Sequence, residues 1–329
     1  MQRMQKGKIF KLATTLIVIT MLTLLLVACG NGEETTAPAD TAPAATPVPA
    51  ANDTNDADDT PPAVVDEVQE EAGSVMEGAI HVITREAGSG TRGAFIEVTG
   101  IESDGEDRTW DEAIVETGTG SVITSVAGNP SAMGYISLGA LRDDVRALPI
   151  NGVEATVDNV QNGSYPLFRT FYMAVPFEVS ELAQDFIDFV LSAEGQAIVE
   201  GSYIPAVTSP APFSGGGLTG TLEIEGSTSV APLMGQIAEA YMELNPGVTI
   251  DVHSTGSGAG ITGAIEGRVD IGMSSRSLRD TELEEVDAVV MNHDGIAVIV
   301  HPTNTIASVT TDEIRDIFMG LLTRWEAIG

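Results

Sequence analysis

Cysteine is almost absent: Cys29 is the only thiol in 329 residues. No intrachain disulfide can form, so packing and hydrogen bonds must hold the fold. Lysine is nearly as scarce. Lys6, Lys8 and Lys11 all fall within the first eleven residues, and the basic side chains after them are eleven arginines. The formal net charge is −33. Such a balance excludes a broad basic patch for nucleic acid or an anionic membrane surface, and its simplest meaning is solubility. Catalytic signatures are missing too. There is no G-x-S-x-G and no HExxH, and His81, His253, His293 and His301 are scattered. A nucleotide P-loop needs a lysine that the chain after residue 11 lacks. No nucleophile–base–acid set and no metal-ligand spacing emerges. The expectation is a protein that is not an enzyme and uses no metal or cofactor.

What is present begins with a leader. The basic stretch "MQRMQKGKIFK" precedes the apolar run "LATTLIVITMLTLLLVA", and Cys29 follows at once. This reads as a secretory signal over 1–28, because the apolar run is short for a spanning helix. "LVAC" resembles a bacterial lipobox, which makes Cys29 the lipidated first residue of the mature chain. An uncleaved anchor with an incidental cysteine is the alternative. Both place the body outside the cytoplasmic membrane. Residues 29–77 hold twelve Asp or Glu, six prolines and no Lys or Arg. That composition cannot offset the entropy of ordering, so a disordered acidic tether is expected.

From about residue 78 the pattern is α/β. "AIHVI", "AMGYISL", "TLEIEG", "VTIDVHS" and "GIAVIV" read as strands. "APLMGQIAEAYMEL" carries Leu233, Ile237, Tyr241 and Leu244 at helical spacing, and "SELAQDFIDFVLSAEGQAIVEG" reads as one amphipathic stretch. "TTDEIRDIFMG" starts at a threonine cap and stops at glycine. Alternation of this kind predicts parallel sheets covered by helices, with ligands at the carboxyl ends of strands. Three loops fit that position: "REAGSGTRG" from residue 85, "EGSTSVAP" at 225–232 and "STGSGAGI" at 254–261. Each offers hydroxyls, glycines and free N–H groups at a helix start, the chemistry that holds an oxyanion. "DIGMSSRSL" at 270–278 adds two adjacent serines and Arg276.

Those segments, with "NPGVTI", "GRVDIGMSSRSL", "IFMGLLTRWEAIG" and "GNPSAMGYISLGAL", resemble the PstS family, the phosphate-binding proteins of bacterial ABC importers. The resemblance covers almost everything from 78 to 329. It implies a two-lobe type II periplasmic-binding-protein fold with the ligand cleft between the lobes. It also implies inorganic phosphate as ligand and a membrane ABC permease as partner. The segment order departs from the family, in which the "GSTS" strand comes first and "REAGSGTR" follows "W-x-x-I-G". A circularly permuted segment order accounts for this, with the Pro/Gly/Ser-rich stretch 208–220 joining the family's original termini. Half-copies of a truncated tandem array also account for it. Permutation predicts a split lobe, 78–149 plus 296–329, and a continuous lobe, 150–295. The resemblance implies that Arg85, Ser89, Gly90, Thr91, Thr228, Ser229, Ser257, Ser275 and Arg276 bind phosphate. Ser275 stands where well-known members carry an aspartate. Arg92 fits equally a direct contact or an ion-paired helix arginine. A surface adhesin or signalling domain on the same fold is the alternative function.

Overall fold

The computed structural model describes residues 76–329. The expected leader, Cys29 and nearly all of the expected tether lie outside the described residues. Along the chain come β1 (His81–Arg85), α1 (Gly90–Val98), β2 (Glu102–Ser103), β3 (Glu106–Asp107), β4 (Ile114–Glu116), α2 (Thr119–Ala127), β5 (Ala132–Ser137) and β6 (Arg146–Ala147). There follow α3 (Val157–Gln161), β7 (Phe168–Pro176), α4 (Glu181–Val190), α5 (Ala193–Val199), β8 (Ile204–Pro205), β9 (Gly220–Gly226) and α6 (Ala231–Leu244). The chain then continues through β10 (Val248–Ser254), α7 (Ser257–Ile265), β11 (Ile271–Ser274), α8 (Asp280–Leu283), β12 (Val286–Val300) and α9 (Thr311–Phe318).

The long strands form one mixed sheet in the order β10-β9-β11-β7-β12-β5-β1-β4. Its flanks are parallel, as the alternation of strand and helix predicts: β9 pairs with β10 and β11, and β1 with β4 and β5. Its middle is antiparallel. β12 pairs with β7 over its first ten residues and with β5 over its last five. This one strand therefore belongs to both flanks.

Apolar side chains gather into separate cores on the two flanks. Ile80, Phe95, Tyr135, Leu148, Tyr165, Val298, Phe318 and Trp325 pack together, and Ile83, Val122, Ile136 and Ile299 fill a smaller cluster on the same strands. Phe171, Phe186, Phe189, Ile224, Leu233, Ile237, Tyr241 and Met291 form the core of the other flank. The chain changes core between Leu167 and Phe171, and again between Met291 and Ile296. The boundary expected after residue 149 is displaced, because Ile150, Val160, Tyr165 and Leu167 bury their side chains in the first core.

One further detail differs from the sequence reading. The stretch expected to be one helix over 180–201 breaks at Leu191–Ser192, where the Ser192 hydroxyl accepts from the Gly195 amide and starts a second helix. The connector 208–220 is docked by specific contacts. Phe213 packs edge-on to Phe189, with ring centroids 5.1 Å apart, and the Gly217 amide donates to Asn245 Oδ1 at 2.9 Å. The last residues of the chain lie beside β1: the Ile80 amide donates to the Thr323 carbonyl, and the Trp325 amide to that of Gly78. Asp270, just before β11, accepts the Glu223 amide of β9 at 2.8 Å.

Candidate functional site

Four parallel strands deliver loops into helix starts at the junction of the two cores. β1 leads to α1, β4 to α2, β9 to α6 and β10 to α7. Helix N-termini carry unpaired N–H groups and partial positive charge. The α2 and α7 caps are Gly118 and Gly256, at φ 86° and 98°, where a side chain would strain the backbone. Neither these caps nor Val230 of α6 supplies a capping side chain, and the first amide of α2, that of Thr119, donates instead to Thr228 Oγ1 at 3.3 Å.

Arg85 ends β1 and is only 1% exposed. Its Nε and Nη2 donate to the two carboxylate oxygens of Glu86, each at 2.8 Å, and Nη2 also reaches Thr228 Oγ1 at 3.1 Å. Nη1 is buried and without a hydrogen-bond partner among the described residues. An unpaired guanidinium N–H shut away from water costs free energy unless an acceptor meets it. Burial raises the Glu86 carboxyl, but the Arg85 guanidinium and the Gly118 amide outweigh it and hold the group below its ordinary range.

Hydroxyls from both flanks crowd beside this guanidinium. Thr91 and Ser229 pair at 2.8 Å. Thr119 meets Thr228 and Ser229, each at 3.1 Å. Ser257 and Ser275 meet at 3.3 Å, and Ser257 Oγ accepts the Ser275 amide at 3.1 Å. Gly90 fits against this last pair. A Cβ there would overlap Ser257 Oγ and stand 2.6 Å from Ser275 Oγ. The Ser89 hydroxyl caps α1 by accepting the Arg92 amide at 3.2 Å. A backbone bond from the Gly258 amide to the Gly88 carbonyl, at 3.0 Å, ties α7 to the β1–α1 loop.

Arg85, Ser89, Gly90, Thr91, Thr228, Ser229, Ser257 and Ser275 are thus brought to one place. Arg276 grips both oxygens of Glu282 at 2.8 Å and lines an adjoining cleft of about 800 Å³ with Ser89, Arg92, Gly258 and Glu282. Arg92 resolves as an ion-paired helix arginine, bonded to Asp107 at 2.8 Å and to the Arg85 carbonyl at 2.7 Å. Thr119 and Glu86 were missed in the sequence reading. "TGTGS" at 117–121 has the same strand–glycine–hydroxyl–helix signature as the other loops, so Thr119 was open to detection. Glu86 gave only the signal of a carboxylate adjacent to an arginine.

The arrangement is a cage of donors and amphoteric hydroxyls, suited to a small tetrahedral oxyanion. A family model described as a PBP superfamily domain matches residues 48–194 and 211–329. "Phosphate-binding protein PstS 2" of Streptococcus pneumoniae serotype 4 is 46% identical over 256 residues, covering 76% of this chain and 88% of that protein. Its namesake in Streptococcus agalactiae serotype V is 42% identical over 267 residues, covering 79% and 91%. The crystal structure of a phosphate ABC transporter phosphate-binding protein from Streptococcus pneumoniae TIGR4 superposes with a TM-score of 0.63 at 46% identity, covering 77% of this chain and all of that one. By family-model match, by identity over most of its length and by fold, the chain belongs to the PstS family of phosphate-binding proteins within the PBP superfamily.

Proposed function

We propose that this chain captures inorganic phosphate between its two cores and delivers it to an ABC permease outside the cytoplasmic membrane. The observation that carries this reading is the buried, unpartnered Nη1 of Arg85 beside hydroxyls from both flanks. A phosphate oxygen there would satisfy the orphaned donor through a charge-assisted bond. Arg85, Ser89, Gly90, Thr91 and Thr119 would hold the anion from one lobe. Thr228, Ser229, Ser257 and Ser275 would hold it from the other. Arg276, committed to Glu282, is assigned the cleft mouth and no direct contact.

The mechanism is a closing cleft with no covalent step. Thr91–Ser229 and Thr119–Thr228 pairs span the two flanks. Phosphate would replace these bonds with stronger ones to charged oxygens, so its binding free energy favours the closed form. β7 and β12 cross between the cores and are the natural hinge. We further propose that Cys29 is lipidated and that the acidic segment before residue 78 tethers the body to the membrane. We also propose that the two cores are lobes in a permuted segment order. The docked connector 208–220 and the completion of both cores within one chain support it over half-copies of an array. The test is calorimetric titration with phosphate and then sulfate, on the wild type and Arg85→Ala. Saturable one-to-one phosphate binding that Arg85→Ala abolishes or weakens severely is expected.

A further inference from the structure

Arg169 is a buried arginine that the sequence did not single out for the site. It sits on β7, directly opposite Asp294 of β12 in the strand register. Both side chains are shut away from solvent, at 2% and 1% exposure. Arg169 Nε and Nη2 both donate to Asp294 Oδ2, at 3.0 and 2.9 Å, and the guanidinium lies 4.9 Å from the centre of the Phe171 ring. These contacts fix the plane of the fork and leave Nη1 pointing along one direction. It donates to the Ser275 carbonyl at 3.5 Å.

That carbonyl has a reason to need it. The ladder between β11 and β7 ends at Ser274 opposite Tyr172, one residue before Ser275. The next backbone acceptor has lost its strand partner, and Ser275 is fully buried. A buried carbonyl left unpaired costs free energy. Arg169 supplies the donor and so fixes the turn that follows β11. The same turn sends the Ser275 amide to Ser257 Oγ and sets the two hydroxyls side by side against Gly90. A buried ion pair is a poor source of stability in itself, because desolvation offsets the attraction. Burial pulls the Asp294 carboxyl above the usual carboxylate range, with the Arg169 charge opposing it.

We infer that Arg169 is a positioning residue of the anion site: braced by Asp294 and Phe171, it holds the Ser275 turn so that the Ser275 and Ser257 hydroxyls are set before the anion arrives. This rests on the phosphate-binding reading above. It places a determinant of affinity on the strand pair that joins the two cores, outside the loops that touch the ligand.

The test is a double-mutant cycle in phosphate titration, with Arg169→Lys, Ser275→Ala and the pair together. Lysine keeps the charge beside Asp294 but loses the fork. Arg169→Lys is expected to weaken phosphate binding by about tenfold, in the range of a lost charged hydrogen bond. Adding Ser275→Ala to it should cost less than about threefold more, because the two act through one turn. Ser229→Ala, added in the same way, should cost as much as it does alone. An Arg169→Lys protein with lowered Tm but wild-type affinity would reduce Arg169 to a structural role and overturn the inference. Fully additive losses with Ser275→Ala would overturn it as well. Should Arg169→Lys fail to fold, Asp294→Asn takes its place: affinity at least about threefold weaker is expected, and unchanged affinity contradicts the proposal. Wild type and Arg85→Ala run alongside, so a wild type that binds no phosphate strikes the parent reading and is told apart from failure of this one.

Discussion

Arg85 stands where β1 ends, with Glu86 gripping two of its nitrogens and a third without a partner among the described residues. Truncating one partner of a buried charge-assisted contact costs about 2–5 kcal/mol. Arg85→Ala should therefore weaken phosphate binding by about 30-fold or more, read by calorimetry. Gly90 tests the site by crowding. Its missing Cβ leaves room for Ser257 and Ser275, so Gly90→Ala should drive the two flanks apart and abolish tight binding, at about 1–3 kcal/mol of stability. Glu86 sets an acid limit. A carboxyl held below its ordinary value of about 4.5 stabilises the fold above that value and loses the contribution as pH falls through the lowered one. Glu282, paired with Arg276, acts in the same sense. These pairs contribute no loss of Tm between pH 7 and about 5 and a decline below, so the decline below about pH 5 should be shallower in Glu86→Gln. At this scale the sequence was informative because the loops share one local rule: strand end, glycine, hydroxyl, helix start. Thr119 obeys it and was overlooked. Arg276 shows the limit of the rule, since its choice of Glu282 over the cage depends on where α8 packs, which spacing does not encode.

Helix ends and strand lengths carry the next level. Ser192 caps α5 and Gly195 lets that helix turn tightly under α4, for a Cβ on Gly195 would stand 2.6 Å from the Val190 carbonyl and closer still to that of Phe189. Gly195→Ala should destabilise by about 2 kcal/mol or more, seen as a fall in the denaturant midpoint. α9 opens with a reciprocal box, the Thr310 hydroxyl accepting the Glu313 amide at 3.1 Å and Glu313 Oε2 accepting the Thr310 amide at 2.7 Å. Thr310→Ala should cost about 1 kcal/mol. α6, α9 and the strands β1, β5, β9 and β10 were legible because apolar periodicity and caps mark them, whereas the flanking strands β4 and β11 were not read. β7 and the first two-thirds of β12 were not read. "NHDG" at 292–295 interrupts the apolar run with polar groups, two of which pair across strands: Asp294 with Arg169 and His293 with Thr170. A polar residue in a central strand is invisible to patterning when its partner comes from more than a hundred residues away.

At the scale of the whole molecule the formal charge of −33 opposes the capture of an anion. Binding must come from local donors in the cleft, while the far field repels the ligand. The association rate for phosphate should therefore rise with added neutral salt as the repulsion is screened, which stopped-flow measurement at low and high ionic strength would show. The parallel flanks followed from the alternation of strands and helices, and the two lobes were what the family resemblance implied. The single strand that serves both flanks did not, because pairing partners in a mixed sheet are set by tertiary register. The central claim is that the cage around Arg85 holds phosphate. Isothermal titration of the wild type with inorganic phosphate, repeated on Arg85→Ala, addresses it most directly. The account predicts one-to-one binding by the wild type and a loss of about 30-fold or more in the variant. A folded wild type that takes up no phosphate, or an Arg85→Ala protein that binds as tightly, would contradict it.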